Sequence, residues 1–124
     1  MQDLDAFLRL YEQVANSHDF DQVAPLVADD AVYWFSNGSY AGLAAIRKAF
    51  ESTWTAIAEE DYRITDVRWL IANDDAAACV YTYSWSGLIG GQRRSGGGRG
   101  TNVLARTEAG WQIVHEHLSS PSGQ

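Results

Sequence analysis

The sequence predicts an α+β fold, with helices first along the chain and a series of long strands after them. In the first half, apolar residues recur at helical spacing. From Tyr62 onward they alternate with polar residues at every second position, which is the period of a strand. Three helices cover only one face of such a sheet, so we expect a second copy of the chain to cover the other face in a homodimer.

Each helix is predicted from its own apolar stripe. The first stripe begins at Leu4, and the acidic Asp3 and Asp5 favour the positive end of the helix dipole. A second helix begins at Phe20 and should be short, because Pro25 lacks the N–H that a helix interior requires. The third begins after Gly42, and its stripe consists of Leu43, Ile46, Phe50, Trp54 and Ile57.

The strands are predicted from β-branched and aromatic residues between turn-forming runs. The first covers residues 32–35, and four later strands, paired in an antiparallel meander, cover residues 62–72, 76–88, 99–107 and 111–118. The segment 87–100 is rich in glycine, so we predict a long, mobile hairpin tip that is dispensable for folding.

Length and charge limit the classes of function. A chain of 124 residues predicts a single domain spanning residues 1–124, with its core at about 4–119. The net charge of -7 disfavours nucleic acid and anionic membrane surfaces as partners. Cys79 is the only cysteine, so we expect neither a disulfide nor a cysteine metal cluster. The first residues lack an apolar signal run, which favours a cytoplasmic location.

Four local strings occur in an order that is typical of one superfamily. They are Asn-Ser-His-Asp-Phe at 16–20, Val-Ala-Asp-Asp-Ala-Val at 27–32, Gly-Leu-Ala-Ala-Ile-Arg at 42–47 and Gly-Trp-Gln-Ile-Val-His-Glu-His-Leu-Ser at 110–119. With them the chain resembles the nuclear transport factor 2-like superfamily, and most of all its SnoaL-like branch. The resemblance implies a cone: a curved antiparallel sheet wrapped by three N-terminal helices, with a cavity between helices and sheet.

The resemblance implies several functions, because the superfamily includes ketosteroid isomerases, polyketide cyclases, dehydratases, ligand binders and oligomerisation modules. We predict a protein that binds a small, largely apolar organic molecule. If the chain is an enzyme, we expect a cofactor-independent isomerase, cyclase or dehydratase. The string at 110–119 is also similar to the end of the association domain of calcium/calmodulin-dependent protein kinase II, so a non-catalytic homo-oligomeric module is the alternative.

Comparison with the isomerase branch identifies one candidate and disfavours one reaction. The resemblance places Tyr11 at the phenol position of those enzymes, although Tyr11 also lies on the apolar stripe of the first helix and could be a packing residue. The catalytic base would fall at or beside Phe35, which cannot accept a proton. Residues 99–105 offer no carboxylate for the second acid, so steroid isomerisation is disfavoured.

His115 and His117 alternate along the last strand and share a face with Trp111 and Ile113. They are interpreted as structural or interface histidines, as polar groups of the pocket, or as metal ligands. No third ligand is evident from the spacing, so we predict no metal site. In SnoaL-like proteins, residues on this strand can reach the pocket. In the pocket interpretation, His117 therefore meets the ligand. Glu116 then points to the opposite face, as a surface or interface group.

The remaining candidates are aromatic or carry hydrogen-bond donors. Trp34, Trp54 and Tyr83 could form an aromatic wall or belong to the core and the dimer surface. The guanidinium of Arg99 would suit a carboxylate ligand, or it lies at the surface. The predicted site therefore has Tyr11 and His117 as catalytic candidates, no cofactor, and as ligand-binding candidates Trp34, Trp54, Tyr83, Arg99, Asn102 and His115.

Overall fold

The computed structural model describes residues 2–121, which form helices on one side of a single six-stranded sheet. The helices are α1 (Gln2–Ala15), α2 (Phe20–Val23) and α3 (Leu43–Ala56), and a 3₁₀ turn, Ala24–Leu26, follows α2. The strands are β1 (Val27–Phe35), β2 (Gly38–Ala41), β3 (Ala58–Ala72), β4 (Ala76–Ile89), β5 (Gln92–Thr107) and β6 (Gly110–Ser119). The α+β class predicted from the sequence is confirmed.

The helices begin where the sequence predicts, and α3 ends one residue before Ile57, the last residue of its predicted stripe. The apolar stripe of α1 is buried through Leu4, Phe7, Leu8 and Tyr11. The second helix is one turn long and is followed by the 3₁₀ turn that contains Pro25, because proline cannot donate to a continuing α-helix.

The sheet is curved, open and mixed. Its strand order is β2-β1-β6-β5-β4-β3, and β1 and β6 run parallel while every other neighbouring pair is antiparallel. The sequence predicted only antiparallel strands, since local alternation does not reveal which distant strand lies alongside β1. No helix in residues 2–121 combines the length and the apolar character needed to span a membrane.

The glycine-rich segment 87–100 is regular sheet. The strands β4 and β5 pair from Ile89↔Gln92 inward, and only Gly90 and Gly91, with φ of 59° and 80°, form the turn. Further along β5, a Cβ atom at Gly100 would collide with the ring of Tyr81. The prediction of a long hairpin tip was therefore wrong, because β4 and β5 pair almost to its end, while the mobility of the segment and its dispensability for folding stay predictions.

Candidate ligand-binding pocket

A cavity of about 390 Å³ lies between α1, α3 and the inner face of the sheet, and it is partly open to solvent. This volume is in the range of pockets for small organic ligands. Its walls are mostly apolar, and seven aromatic side chains contribute to them: Tyr11, Phe35, Phe50, Trp54, Tyr62, Tyr83 and Trp85.

The polar groups at the deep end of the cavity form a hydrogen-bonded chain. Tyr11 donates its hydroxyl proton to Glu116 Oε1 over 3.0 Å, and Tyr33 Oη lies 2.8 Å from Tyr11 Oη. All three residues are buried, and Tyr11 and Glu116 also line the cavity. With the Tyr11 proton committed to Glu116, Tyr33 is the donor to Tyr11, so the chain runs toward the carboxylate.

Behind Glu116, Asn102 and Tyr81 form a second buried pair. Tyr81 donates to Asn102 Oδ1 over 2.8 Å, and Asn102 stands opposite Glu116 in the β5–β6 register. The Nδ2 atom of Asn102 is buried without a hydrogen-bond partner among residues 2–121. Asn102 therefore supports the deep end of the cavity but is not part of its lining.

The carboxyl group of Glu116 has an unusual proton affinity. Burial raises its pKa to about 7, although favourable interactions with the side chains of Tyr11, Asn102 and Tyr81 oppose the rise. Near neutral pH the group therefore exists in both protonation states. It can accept a hydrogen bond as a carboxylate or donate one as an acid.

A β-bulge directs Glu116 into the cavity. Val103 pairs with His115 and the next residue, Leu104, pairs with Ile113, which leaves Val114 as an extra residue in β6. The extra residue reverses the alternation of side chains along the strand. Ile113 and Glu116 therefore share the inner side, and the prediction that His115 and His117 point inward with Ile113 was wrong.

The two histidines lie with Trp34 on the outer face of the sheet. The ring of Trp34 stands edge-on to those of His115 and His117, at centroid distances of 5.1 and 5.9 Å. His115 Nδ1 donates to the carbonyl oxygen of Val32 over 2.7 Å, which fixes its ring against the sheet. The side chains of Trp34 and His117 are exposed, and none of the three aromatic residues lines the cavity.

A second carboxyl group, that of Glu60, enters the cavity from β3. The β3–β4 register shifts between Ala58 and Asp61, and Glu59 has a φ of 55°, which is rare for a residue with a side chain. Bulges and such backbone conformations are concentrated near functional sites. Glu60 lines the cavity on the same face of β3 as Tyr62, and burial raises its pKa to about 7.

The link after α1 holds this irregular part of β3 in place. Asn16 makes two hydrogen bonds to the backbone of Tyr62, through its Nδ2 at 2.8 Å and its Oδ1 at 2.7 Å. His18 Nε2 donates to the carbonyl oxygen of Glu60 over 2.9 Å, and its ring stacks on Trp54. Because β3 is an edge strand, these side chains take the place of a neighbouring strand and fix the position of Glu60.

Some of the predicted site residues come together and others lie apart. Tyr11, Trp54 and Tyr83 line the cavity, and Asn102 lies directly behind it. Arg99 is exposed on β5 and, like Trp34, His115 and His117, is not part of the lining. The roles proposed for these residues remain predictions.

Sequence reasoning did not identify the two carboxyl groups of the cavity. Glu116 is the one acidic residue of β6, a signal that could have singled it out. Glu60 follows Glu59 and precedes Asp61, a pattern typical of an exposed acidic turn. It precedes the strand predicted at 62–72, whereas β3 begins at Ala58 and places Glu60 on the same face as Tyr62.

The charged residues of the cavity lining are all acidic. It includes Glu60 and Glu116 but no lysine, arginine or histidine within residues 2–121. In the same part of the chain, no three histidine, cysteine, aspartate or glutamate side chains are grouped so that they could hold a metal ion.

The family is shown by comparison with known protein families. The model of the SnoaL-like domain matches residues 4–123. The chain belongs to the SnoaL-like domain family. No functionally curated protein matches the sequence.

Solved structures with similar folds are described as different kinds of protein. A protein of the nuclear transport factor 2-like superfamily from Salmonella enterica serovar Typhimurium has a TM-score of 0.89 and 18% identity, over 99% of this chain and 92% of that one. A candidate calcium/calmodulin-dependent protein kinase II association domain from Xanthomonas campestris has a TM-score of 0.86 and 22% identity, over 98% and 88%.

A third structure, a candidate aromatic ring hydroxylase from Novosphingobium aromaticivorans, has a TM-score of 0.84 and 20% identity, over 94% and 85% of the two chains. At these identities the similarity shows the fold, which is that of the nuclear transport factor 2-like superfamily, and it does not show a shared activity.

Proposed function

We propose that this SnoaL-like chain binds a small, largely apolar organic molecule in the cavity between helices and sheet. The observation that carries the proposal is the hydrogen-bonded pair of Tyr11 and Glu116 at the deep end of an aromatic-walled cavity. An apolar pocket with a few convergent polar groups is the usual form of a small-molecule site. The walls would hold the body of the ligand, and the pair would orient one polar group of it.

The same arrangement would suit chemistry without a cofactor. A carboxyl group with a pKa of about 7 can give or take a proton near neutral pH, and Glu60 and Glu116 both have this property. Isomerisation, cyclisation and dehydration each require such proton transfers. The reaction class, if there is turnover, lies among these three.

Binding can be tested with N-phenyl-1-naphthylamine, a neutral apolar probe whose fluorescence rises in apolar surroundings. We expect saturable binding at one site per chain. Leu118→Trp should weaken binding strongly, because Leu118 lines the cavity and the larger ring would fill it. His117→Trp is the matched control on the outer side of the same strand and should bind normally. Equal binding by both variants, or none by the unmodified protein, would contradict the proposal.

The alternative is a non-catalytic association module that assembles with itself. It is supported by the fold similarity to the Xanthomonas campestris structure and by the exposed aromatic cluster on the outer face of the sheet. The open cavity with buried acids favours the pocket function, because an association module has no need of either. A homodimer formed by the outer face is compatible with both proposals.

A further inference from the structure

Every side chain of the cavity that can carry a full charge near neutral pH is acidic, within the described residues 2–121. The exposed arginine at position 99 is outside the lining, and the chain carries a net charge of -7. An anionic ligand would therefore meet two carboxyl groups and no counter-ion. A cationic ligand would meet charges of opposite sign in a partly desolvated site, where charge pairs are stronger than in water.

On the basis of the proposed pocket function, we propose that the cavity selects organic cations, a protonated amine on an apolar body, with Glu60 as the counter-ion. The carboxyl group of Glu60 makes no hydrogen bond or ion pair within residues 2–121. The hydrogen bond from His18 goes to the backbone carbonyl oxygen of Glu60 and not to its side chain. Its oxygens are therefore available to a ligand. Glu116, in contrast, already accepts a hydrogen bond from Tyr11.

Aromatic side chains surround the position of Glu60 in a way that suits a cation. Tyr62, two residues further along β3, stacks on Tyr83 with ring centroids 6.0 Å apart, and Trp54 and Trp85 belong to the same lining. The electron-rich faces of aromatic rings attract ammonium groups, most strongly when water is excluded. In addition, Tyr62 Oη is buried without a hydrogen-bond partner in the described residues, so it could accept a hydrogen bond from an ammonium group.

Protonation of Glu60 should control the binding of a cation. The titratable groups that share its surroundings are Glu116 from β6, Tyr11 from α1, Tyr62 from β3 and Tyr83 from β4, with His18 bonded to its carbonyl oxygen. Burial raises the pKa values of both glutamates to about 7, and those of the tyrosines above their ordinary value. The affinity for an amine should therefore rise with pH as the carboxyl groups ionise.

Three ligands with the same phenyl-alkyl body and a cationic, neutral or anionic end group test the proposal. They are 4-phenylbutylamine, 4-phenylbutan-1-ol and 4-phenylbutyrate, each used to displace N-phenyl-1-naphthylamine at pH 8. We expect the amine to bind at least about tenfold more tightly than the alcohol, which is the range of a charged hydrogen bond. The carboxylate should bind most weakly. In Glu60→Gln the amine should lose this advantage while the affinity for the alcohol is unchanged.

Glu59→Gln is the matched control, because Glu59 is the exposed neighbour and should have no effect on the three affinities. A second measurement needs no variant: in the unmodified protein, the affinity for the amine should rise nearly tenfold from pH 6 to pH 8. An amine that binds no better than the alcohol, a preference that survives in Glu60→Gln, or a flat pH profile would overturn the proposal. Continued binding of the naphthylamine probe in those cases would leave the pocket function intact.

Discussion

The hydroxyl of Tyr11 and the carboxyl group of Glu116 meet over 3.0 Å, although 105 positions separate them in the sequence. This contact joins the first helix to the last strand and closes the deep end of the cavity. Because both groups are buried, the contact supplies Glu116 with a hydrogen-bond donor, while Tyr11 has a second partner in Tyr33. The contact thus links the stability of the fold to the chemistry of the pocket.

Removal of the Tyr11 hydroxyl should destabilise the protein and shift the titration of Glu116. Tyr11→Phe leaves a buried carboxyl group without its donor, so we expect a loss of about 1–3 kcal/mol of unfolding free energy. The pKa of Glu116 should rise further above 7, since the bond to Tyr11 lowers it. Urea denaturation and carboxyl NMR titration measure the two effects. Tyr40→Phe, which removes an exposed bond to Asn37, should cost little, and an equal cost for both variants would contradict this account.

Glu116 should make the stability of the protein fall as the pH rises. Its pKa is about 7 in the folded state and about 4.5 in an exposed chain, so the folded state holds the proton more tightly. The resulting stabilisation is complete below pH 4.5 and is lost as the pH rises through 7. At 1.36 kcal/mol per pKa unit the loss is roughly 3 kcal/mol.

Glu116→Gln isolates this effect, because glutamine stays neutral at every pH and Glu60 is retained in both proteins. Denaturation curves between pH 4 and pH 8.5 should show that the unfolding free energy of the unmodified protein declines as the pH rises. In the variant this decline should be smaller by roughly 3 kcal/mol. Parallel pH profiles would show that the carboxyl group of Glu116 does not have a raised pKa.

Neighbouring residues of β6 should differ in their effect on ligand binding. Leu118 lines the cavity and His117 points to the outer face, because the bulge at Val114 reverses the alternation. We therefore expect His117→Ala to bind N-phenyl-1-naphthylamine like the unmodified protein, whereas Leu118→Ala should weaken binding several-fold through lost apolar contact. Fluorescence titration measures both. The reverse order of effects would restore the inward orientation that the sequence alone predicted for His117.

The outer face of the sheet should form a homodimer. It carries the exposed ring of Trp34 beside His115 and His117, and the helices cover only the opposite face. Trp34→Asp should give a folded monomer, because a carboxylate at the centre of an apolar interface is costly to desolvate. Leu10→Asp, at an exposed position of α1, is the control and should stay dimeric. Sedimentation of the unmodified protein as a monomer at micromolar concentration would contradict the prediction.

The sequence by itself determined the helices, the long strands and the family resemblance, but it did not predict the short strand β2. Helical stripes identified α1 and α3, Pro25 shortened the second helix, and a period of two identified the long strands. These signals are local: each depends on residues within a few positions of one another, so the sequence is enough to detect them. The α+β class could be predicted for this reason. Tyr11, Trp54 and Tyr83 line the cavity, but Tyr11 was identified through the resemblance, and the sequence left Trp54 and Tyr83 open between a pocket wall and the core or dimer surface.

Only the tertiary structure decided which side chains face the cavity in β3 and β6. Prediction from a period of two assumes an uninterrupted ladder, and one extra residue at Val114 moves Glu116 inward and His117 outward. Glu60 lies ahead of the strand predicted at 62–72, and this part of β3 is held by bonds from Asn16 and His18, which belong to a different part of the chain. The raised pKa values of the two glutamates result from burial, which depends on how distant elements pack against each other and not on neighbouring residues.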